Sequence, residues 1–259
     1  MARKPLMAGN WKMNLNHLEA VAHVQRVAYG LKDEDYEACE VVVLTPFTDL
    51  RSVQVLIDAD KYKLGYGSQD ISEHEKGAYT GEVSGPMLSK LGATYAVVGH
   101  SERRQYHGET NEIVNAKAKA ALANGITPII CYGESLDVRE AGDQVLFSLG
   151  QVEACLDGFS AEDASKVVLA YEPIWAIGTG LTASPTDAQE VCGATRSWLS
   201  DHYDSATADA IRILYGGSMK AANVASLMAQ PDIDGGLIGG ASLDPDEFVA
   251  MAKYRLLTP

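Results

Sequence analysis

Glu172 stands at the end of a short apolar run, Val167 to Ala170, and is followed at once by Pro173. The stretch continues through apolar residues and glycine as AYEPIWAIGTG, Ala170–Gly180. A residue before proline is confined to extended backbone, which sets the direction of its side chain. A carboxylate so placed could serve as a base at a strand end, with a lid beside it. The alternative is a solvated strand-end carboxylate. Ile174, Trp175, Ala176 and Ile177 suit a lid that closes and dries the site better than an idle exposed loop. Drying makes a carboxylate a stronger base.

His100 follows Gly99 at the end of another apolar run and precedes Ser101-Glu102-Arg103-Arg104. It could be a histidine satisfied in the core. If a helical turn starts at Ser101, its dipole disfavours imidazolium and leaves a neutral ring able to donate to a carbonyl. Glu102 is the rival base, but a place in that first turn holds it ionised, so it reads better as an orienting partner for Lys12. Lys12 is in step with Ala8 and Asn10 on one side of the first strand, which favours a charge aimed inward over a surface lysine. Gly216-Gly217-Ser218 and Gly239-Gly240 each precede a helical pattern, the first over Ala221–Ala229. One glycine pair is compatible with a plain turn. Two pairs at adjacent strand ends fit a phosphate, which close backbone approach and helix N-terminal N–H groups attract.

Eight short β-rich runs must hold these groups: Leu6–Asn10, Val41–Thr45, Leu64–Ser68, Tyr95–Gly99, Ile126–Cys131, Val167–Tyr171, Ile213–Tyr215 and Leu237–Gly239. Most are continuously apolar, as parallel strands buried on both faces are. Helical periodicity lies between them, with Ala20, Val21, Val24, Ala28 and Leu31 on one face and Ala188, Val191, Cys192, Thr195 and Trp198 on another. Ser184-Pro185-Thr186-Asp187 and Asp244-Pro245-Asp246-Glu247 read as helix starts. The alternation predicts an α/β protein, a closed eight-stranded parallel (β/α)8 barrel (a TIM barrel) in one domain over residues 1–259. A doubly wound open sheet is the runner-up, but Gly9-Asn10-Trp11-Lys12 lacks a dinucleotide fingerprint. Barrel chemistry sits at the carboxyl ends of strands, which is where Asn10, Lys12, His100, Glu102, Glu172 and both glycine pairs fall. Gln69 to about Gly85 is a long polar loop, a length that points to function or binding.

The 259 residues, 46% hydrophobic and 22% charged, can bury about three quarters of their unfolded surface. No run of about 18 apolar residues predicts a membrane span, and MARKPLMAGNWK does not read as a secretory signal. Cys39, Cys131, Cys155 and Cys192 are scattered without a C-x-x-C pair, which argues against zinc and for reduced thiols in the cytoplasm. No His or Asp pair has metal-ligand spacing, so a metal-free mechanism is expected. A net charge of −14 argues against nucleic acid as a partner. It does not exclude an anionic substrate, because a Debye length of about 8 Å damps remote carboxylates and leaves a nearby lysine and aimed N–H groups to decide.

The chain closely resembles the triosephosphate isomerase family over essentially its whole length. The carrying segments are AGNWKMN (Ala8–Asn14), GAYTGEVS (Gly77–Ser84), VGHSERR (Val98–Arg104), AYEPIWAIGTG, YGGS (Tyr215–Ser218) and GGASL (Gly239–Leu243). The resemblance implies cofactor-free interconversion of dihydroxyacetone phosphate and D-glyceraldehyde 3-phosphate through an enediolate, in glycolysis and gluconeogenesis. It implies that Glu172 is the proton shuttle, His100 the electrophile, Lys12 the stabiliser of developing negative charge and Asn10 a positioning group. The phosphate is expected on the N–H groups of Gly178, Ser218, Gly239 and Gly240. Pro173–Ala183 is expected to be the lid, hinged at Pro173-Ile174-Trp175 and Leu181-Thr182-Ala183. The 69–85 loop is expected to dock into a second copy, where Thr80 reaches the other active site, making a homodimer. Cys131 matches a buried cysteine near the base. Leu181, Met219 and Tyr132 depart from common family residues, none at a chemical position. A metal-dependent phosphosugar epimerase and a catalytically silent phosphometabolite-binding scaffold are the competing readings. Missing metal ligands count against the first, and the intact Lys12, His100 and Glu172 set against the second.

Overall fold

A computed structural model describes residues 3–177 and 183–258. The eight expected strands form as β1 (Leu6–Asn10), β2 (Glu40–Thr45), β3 (Gly65–Ser68), β4 (Tyr95–Val98), β5 (Thr127–Tyr132), β6 (Val168–Tyr171), β7 (Arg212–Tyr215) and β8 (Gly235–Ile238). They pair in sequence order, all parallel, and β1 closes on β8 with Leu6 opposite Gly235 and Gly9 opposite Ile238. The sheet is therefore a closed barrel, not the open doubly wound alternative. The last strand begins earlier than its apolar letters suggest. Gly235 and Gly236 have poor strand propensity, yet Leu6 and Met7 of β1 pair with them.

Successive side chains on a strand point to opposite faces, and the two faces have different partners here. Leu6, Ala8, Val42, Leu44, Tyr95, Val97, Ile129, Cys131, Val168, Ala170, Leu214 and Leu237 pack together inside the barrel. Their alternates, such as Met7, Val43, Val98, Ile130, Leu169 and Ile213, join a larger layer with the helices. Both faces are dry, which is why the strands read as continuous apolar runs.

The helix His17–Gly30 buries Ala20, His23, Val24 and Val27. His23 and Val27 thus occupy the inward face in place of Val21 and Ala28, which are only partly buried. Pro185–His202 starts as its sequence suggests, with Ser184 and Asp187 capping each other reciprocally. Asp244 caps Pro245–Ala252 from one side only, accepting from Asp246 N and Glu247 N, while the Glu247 carboxylate accepts from Ala221 N. The helix expected over Ala221–Ala229 forms only over Val224–Met228. Asn223 holds the chain before it in turns, donating to Ser218 O at 3.0 Å and accepting from Lys220 N at 2.8 Å. Between Gln69 and Ser84 there is neither helix nor strand. The loop has a closed neck, Ser72 N to Val83 O at 2.9 Å, and an exposed tip over Glu75–Glu82.

Arg196, nearly buried, ties that long helix to the amino-terminal side of the barrel. Its guanidinium donates to Ala208 O at 2.6 Å, to Ile211 O at 2.5 Å and to Asp234 Oδ2 at 2.5 Å. Asp234 also accepts from Ile213 N at 2.9 Å, so one carboxylate anchors the starts of β7 and β8. Groups on this face serve stability rather than chemistry. Asp234 also pairs with Arg3 Nε at 2.6 Å, so Arg196→Met removes one of its two guanidinium partners and the donor to two carbonyls, and unfolding in urea is expected to show a loss of about 2–3 kcal/mol. Turnover per folded molecule is expected to stay unchanged.

Candidate active site

The carboxyl ends of the strands open into a cleft of about 480 Å³. It brings together Asn10 and Lys12 from β1, His100 and Glu102 after β4, Glu172 after β6, Ser218 after β7, and Gly239 and Gly240 after β8. Gly178, Leu181 and Thr182 lie outside the described residues. Thr80 is exposed at the tip of the 69–85 loop and lines a different hollow, with His74 and Tyr79. Among the described residues, no three His, Cys, Asp or Glu side chains gather as metal ligands would.

The turn after β1 is held by amides. Lys12 has φ +54°, a left-handed conformation costly for a residue with a side chain. Asn10 Oδ1 accepts from Lys12 N at 3.0 Å, and Gln69 Nε2 donates to both Lys12 O and Leu44 O at 2.9 Å. The strained turn carries Lys12 Nζ to 2.5 Å from Glu102 Oε1. Gln69 escaped the sequence reading as an individual residue, although it opens the long loop.

His100 is itself the cap of the helix Ser101–His107, because its Nδ1 accepts from Glu102 N at 3.2 Å. A backbone N–H can only donate, so the bond assigns the neutral ring's proton to Nε2. Nε2 lies 3.1 Å from Glu172 Oε1 and can offer its N–H into the cleft. Glu172 is almost wholly buried, and Ser101 holds it through N to Oε2 at 2.9 Å and Oγ to Oε1 at 3.0 Å. Backbone neighbours crowd it as well. A side chain on Gly133, which has φ +156°, would stand 1.8 Å from Glu172 O, and one on Gly216 would stand 2.9 Å from Glu172 Cγ. These glycines let three strand ends close around one carboxylate. Cys131 is buried beneath it, and burial together with the Glu172 charge pushes its thiol well up.

Glu134, at the end of β5, was not among the expected site residues. It is fully buried and accepts at Oε1 from Tyr171 OH at 2.9 Å and Trp175 Nε1 at 2.8 Å, while its carbonyl accepts from Ile174 N at 3.1 Å. It therefore ties down the residues just after Glu172 and Pro173. The available signal was an acid directly behind an apolar strand, in CYGES, at the same rim as the others. Tyr132, one of the departures noted above, donates its hydroxyl to Thr195 Oγ1 at 3.0 Å.

The sequence model of the family described as triosephosphate isomerase matches residues 5–255. Curated relatives carry the same name. The chain is 65% identical to a triosephosphate isomerase of Streptomyces coelicolor over 253 residues, 98% of each chain. It is 58% identical to one of Mycobacteroides abscessus and 59% identical to one of Corynebacterium diphtheriae, each over 252 residues and 97% of both chains.

Burial raises the Glu134 carboxyl, and the Trp175 and Tyr171 hydrogen bonds only partly oppose it. The folded chain thus holds this proton more tightly than the unfolded chain. The stability it contributes is complete below the ordinary carboxylate range and is lost as pH rises through the raised value. Glu134→Gln removes that loss. Denaturant titrations are expected to show the variant gaining on the unaltered chain at about pH 8, with the gain vanishing at about pH 4.

Proposed function

The chain belongs to the triosephosphate isomerase family, and on that footing we propose which of its residues carry out each step of the isomerisation. The reaction interconverts dihydroxyacetone phosphate and D-glyceraldehyde 3-phosphate through an enediolate, in glycolysis and gluconeogenesis. Glu172 takes the proton from one carbon and returns it to the next. His100 donates Nε2–H to the carbonyl and then the enediolate oxygen, a neutral electrophile of the kind this family is known for. Lys12 faces the growing negative charge, with Asn10 shaping its turn and Glu102 holding its ammonium. Ser218, Gly239 and Gly240 offer backbone N–H groups to the phosphate, and Gly178 joins them from the lid.

The observation that carries this reading is the Glu172–His100–Ser101 contact set. The base and the electrophile are in direct contact, 3.1 Å apart, so a substrate that parts them meets one at its carbon and the other at its oxygen. Ser101 occupies both Glu172 oxygens, so engaging a substrate means exchanging Ser101 for a carbon-bound proton. Closure of Pro173–Ala183 excludes water and keeps the enediolate from expelling phosphate.

We further propose that residues 1–259 act as one domain and that two copies pair through the 69–85 loop. Met13 is 96% exposed and Tyr106 72%, and they flank a second hollow that also reaches Lys12 and His100. Such apolar exposure beside charged groups calls for a cover. The protruding Glu75–Glu82 tip of a second copy supplies one, placing Thr80 at the other site. Placement in the cytoplasm is supported by four cysteines that are all free and buried. Among the described residues no helix is long and apolar enough to cross a membrane.

Glu172→Asp retracts the base by one methylene, about 1 Å, which is expected to lower kcat on the order of 10²-fold with little change in KM in a coupled isomerase assay. Near-native turnover would remove Glu172 from its role. Met13→Asp is expected to sediment as single chains and to lose activity in parallel. An unaltered chain that sediments singly would refute the pairing, and a variant that stays active as a single chain would refute the contribution of Thr80 to the other site.

A further inference from the structure

His23 lies on the helix His17–Gly30, outside every motif named above. It is buried, and its Nε2 is 2.8 Å from Ser242 O. A carbonyl can only accept, so Nε2 carries the proton. Burial lowers the pKa of the ring more than the Ser242 bond raises it, with Arg26 and Asp244 as the charged groups that act on it. The ring is neutral at pH 7 and has one N–H to give. Its other nitrogen, Nδ1, is buried without a hydrogen-bond partner among the described residues. The ring stands edge-on to Trp11, centroids 4.9 Å apart, and Trp11 lies between Asn10 and Lys12.

Ser242 turns both of its donors on one acceptor. Its N–H and its hydroxyl both donate to Gly239 O, at 2.8 and 2.7 Å. That carbonyl belongs to the same peptide unit as the Gly240 N–H. A trans peptide points its C=O and N–H in opposite directions, so pinning the carbonyl at Ser242 aims the Gly240 N–H the other way. Gly240 lines the active cleft, and nothing stands within 4 Å of where its side chain would be. The turn Gly240–Leu243 is only four residues long, too short to hold its own orientation by helical hydrogen bonding.

We propose that His23 is a positioning residue for phosphate binding: through Ser242 it fixes the peptide plane that presents the Gly240 N–H to the substrate phosphate. The proposal rests on the reading of Gly239 and Gly240 as phosphate donors. His23 also docks the first helix and Trp11 against this turn, so the phosphate end and the Lys12 end of the cleft share one buried support.

The test separates the two readings. Gln carries its amide nitrogen at the reach of Nε2, whereas Asn carries it one bond short, at the reach of Nδ1. His23→Asn and His23→Leu are expected to weaken inhibition by inorganic phosphate and to raise KM for the triose phosphate roughly five- to tenfold, the scale of one lost hydrogen bond. Their kcat is expected to stay near native, and His23→Gln to restore binding to within about twofold. Titration of the unaltered chain with inorganic phosphate, followed at the Gly239 and Gly240 amide resonances, is expected to shift both. If both shift but Asn and Gln variants bind phosphate alike, the role given to His23 is wrong and the phosphate site stands. If neither shifts, the phosphate reading fails and the inference with it. Should His23→Leu fail to fold, the Asn and Gln pair decides alone.

Discussion

Each strand of the barrel spends its backbone hydrogen bonds on a neighbour to either side, and β1 meets β8 so that no edge is left. With all pairings parallel, that closure forces all eight carboxyl ends onto one rim. Residues more than two hundred positions apart, such as Asn10 and Gly240, line one cleft for this reason. Loss of that register would scatter the site even if every helix survived. The opposite rim is where Arg196 and Asp234 clamp the starts of β7 and β8, so stability and chemistry occupy opposite ends of the same strands.

Within the cleft, the chemical groups are braced by hydrogen bonds that leave little freedom. Asn10 and Gln69 hold Lys12 in a backbone conformation it would otherwise avoid. The Glu102 N–H settles which nitrogen of His100 carries its proton, and Ser101 holds Glu172 beside it. Glu134, wholly buried, takes two hydrogen bonds from the segment that leads into the lid. Most of these braces are neutral donors from backbone or amide groups. They orient without adding charge, which suits a site whose work is to move a proton and stabilise an oxyanion.

The charge of the whole molecule plays a small part in this. The chain carries −14 overall, yet inside the cleft Lys12 and Lys220 stand against Glu102 and Glu172. At a Debye length of about 8 Å the distant carboxylates are screened, so the groups that line the cleft set its local potential.

Much of this was readable from the letters. Continuous apolar runs alternating with helical periods specify a barrel because strands buried on both faces leave no polar position. Glu172 before Pro173, His100 after Gly99 and the two glycine pairs stand at strand ends, where backbone geometry constrains which residue types are usable. What the sequence could not convey is contact between distant segments. Nothing in HVQ announces that His23 meets Ser242, nothing in CYGES that Glu134 meets Trp175, and nothing in the helix pattern that Arg196 meets Asp234. The inward face of the first helix departs from its apolar pattern for the same reason. A polar histidine counts against burial by composition, and only the Ser242 carbonyl waiting for it makes burial favourable. The helix after Ser218 starts later than its apolar pattern because Asn223 takes the backbone groups that would extend it. Local preference and hydrophobic period are written in neighbouring residues and determine the elements. Which buried donor finds which acceptor is settled only when the closed barrel brings the elements together.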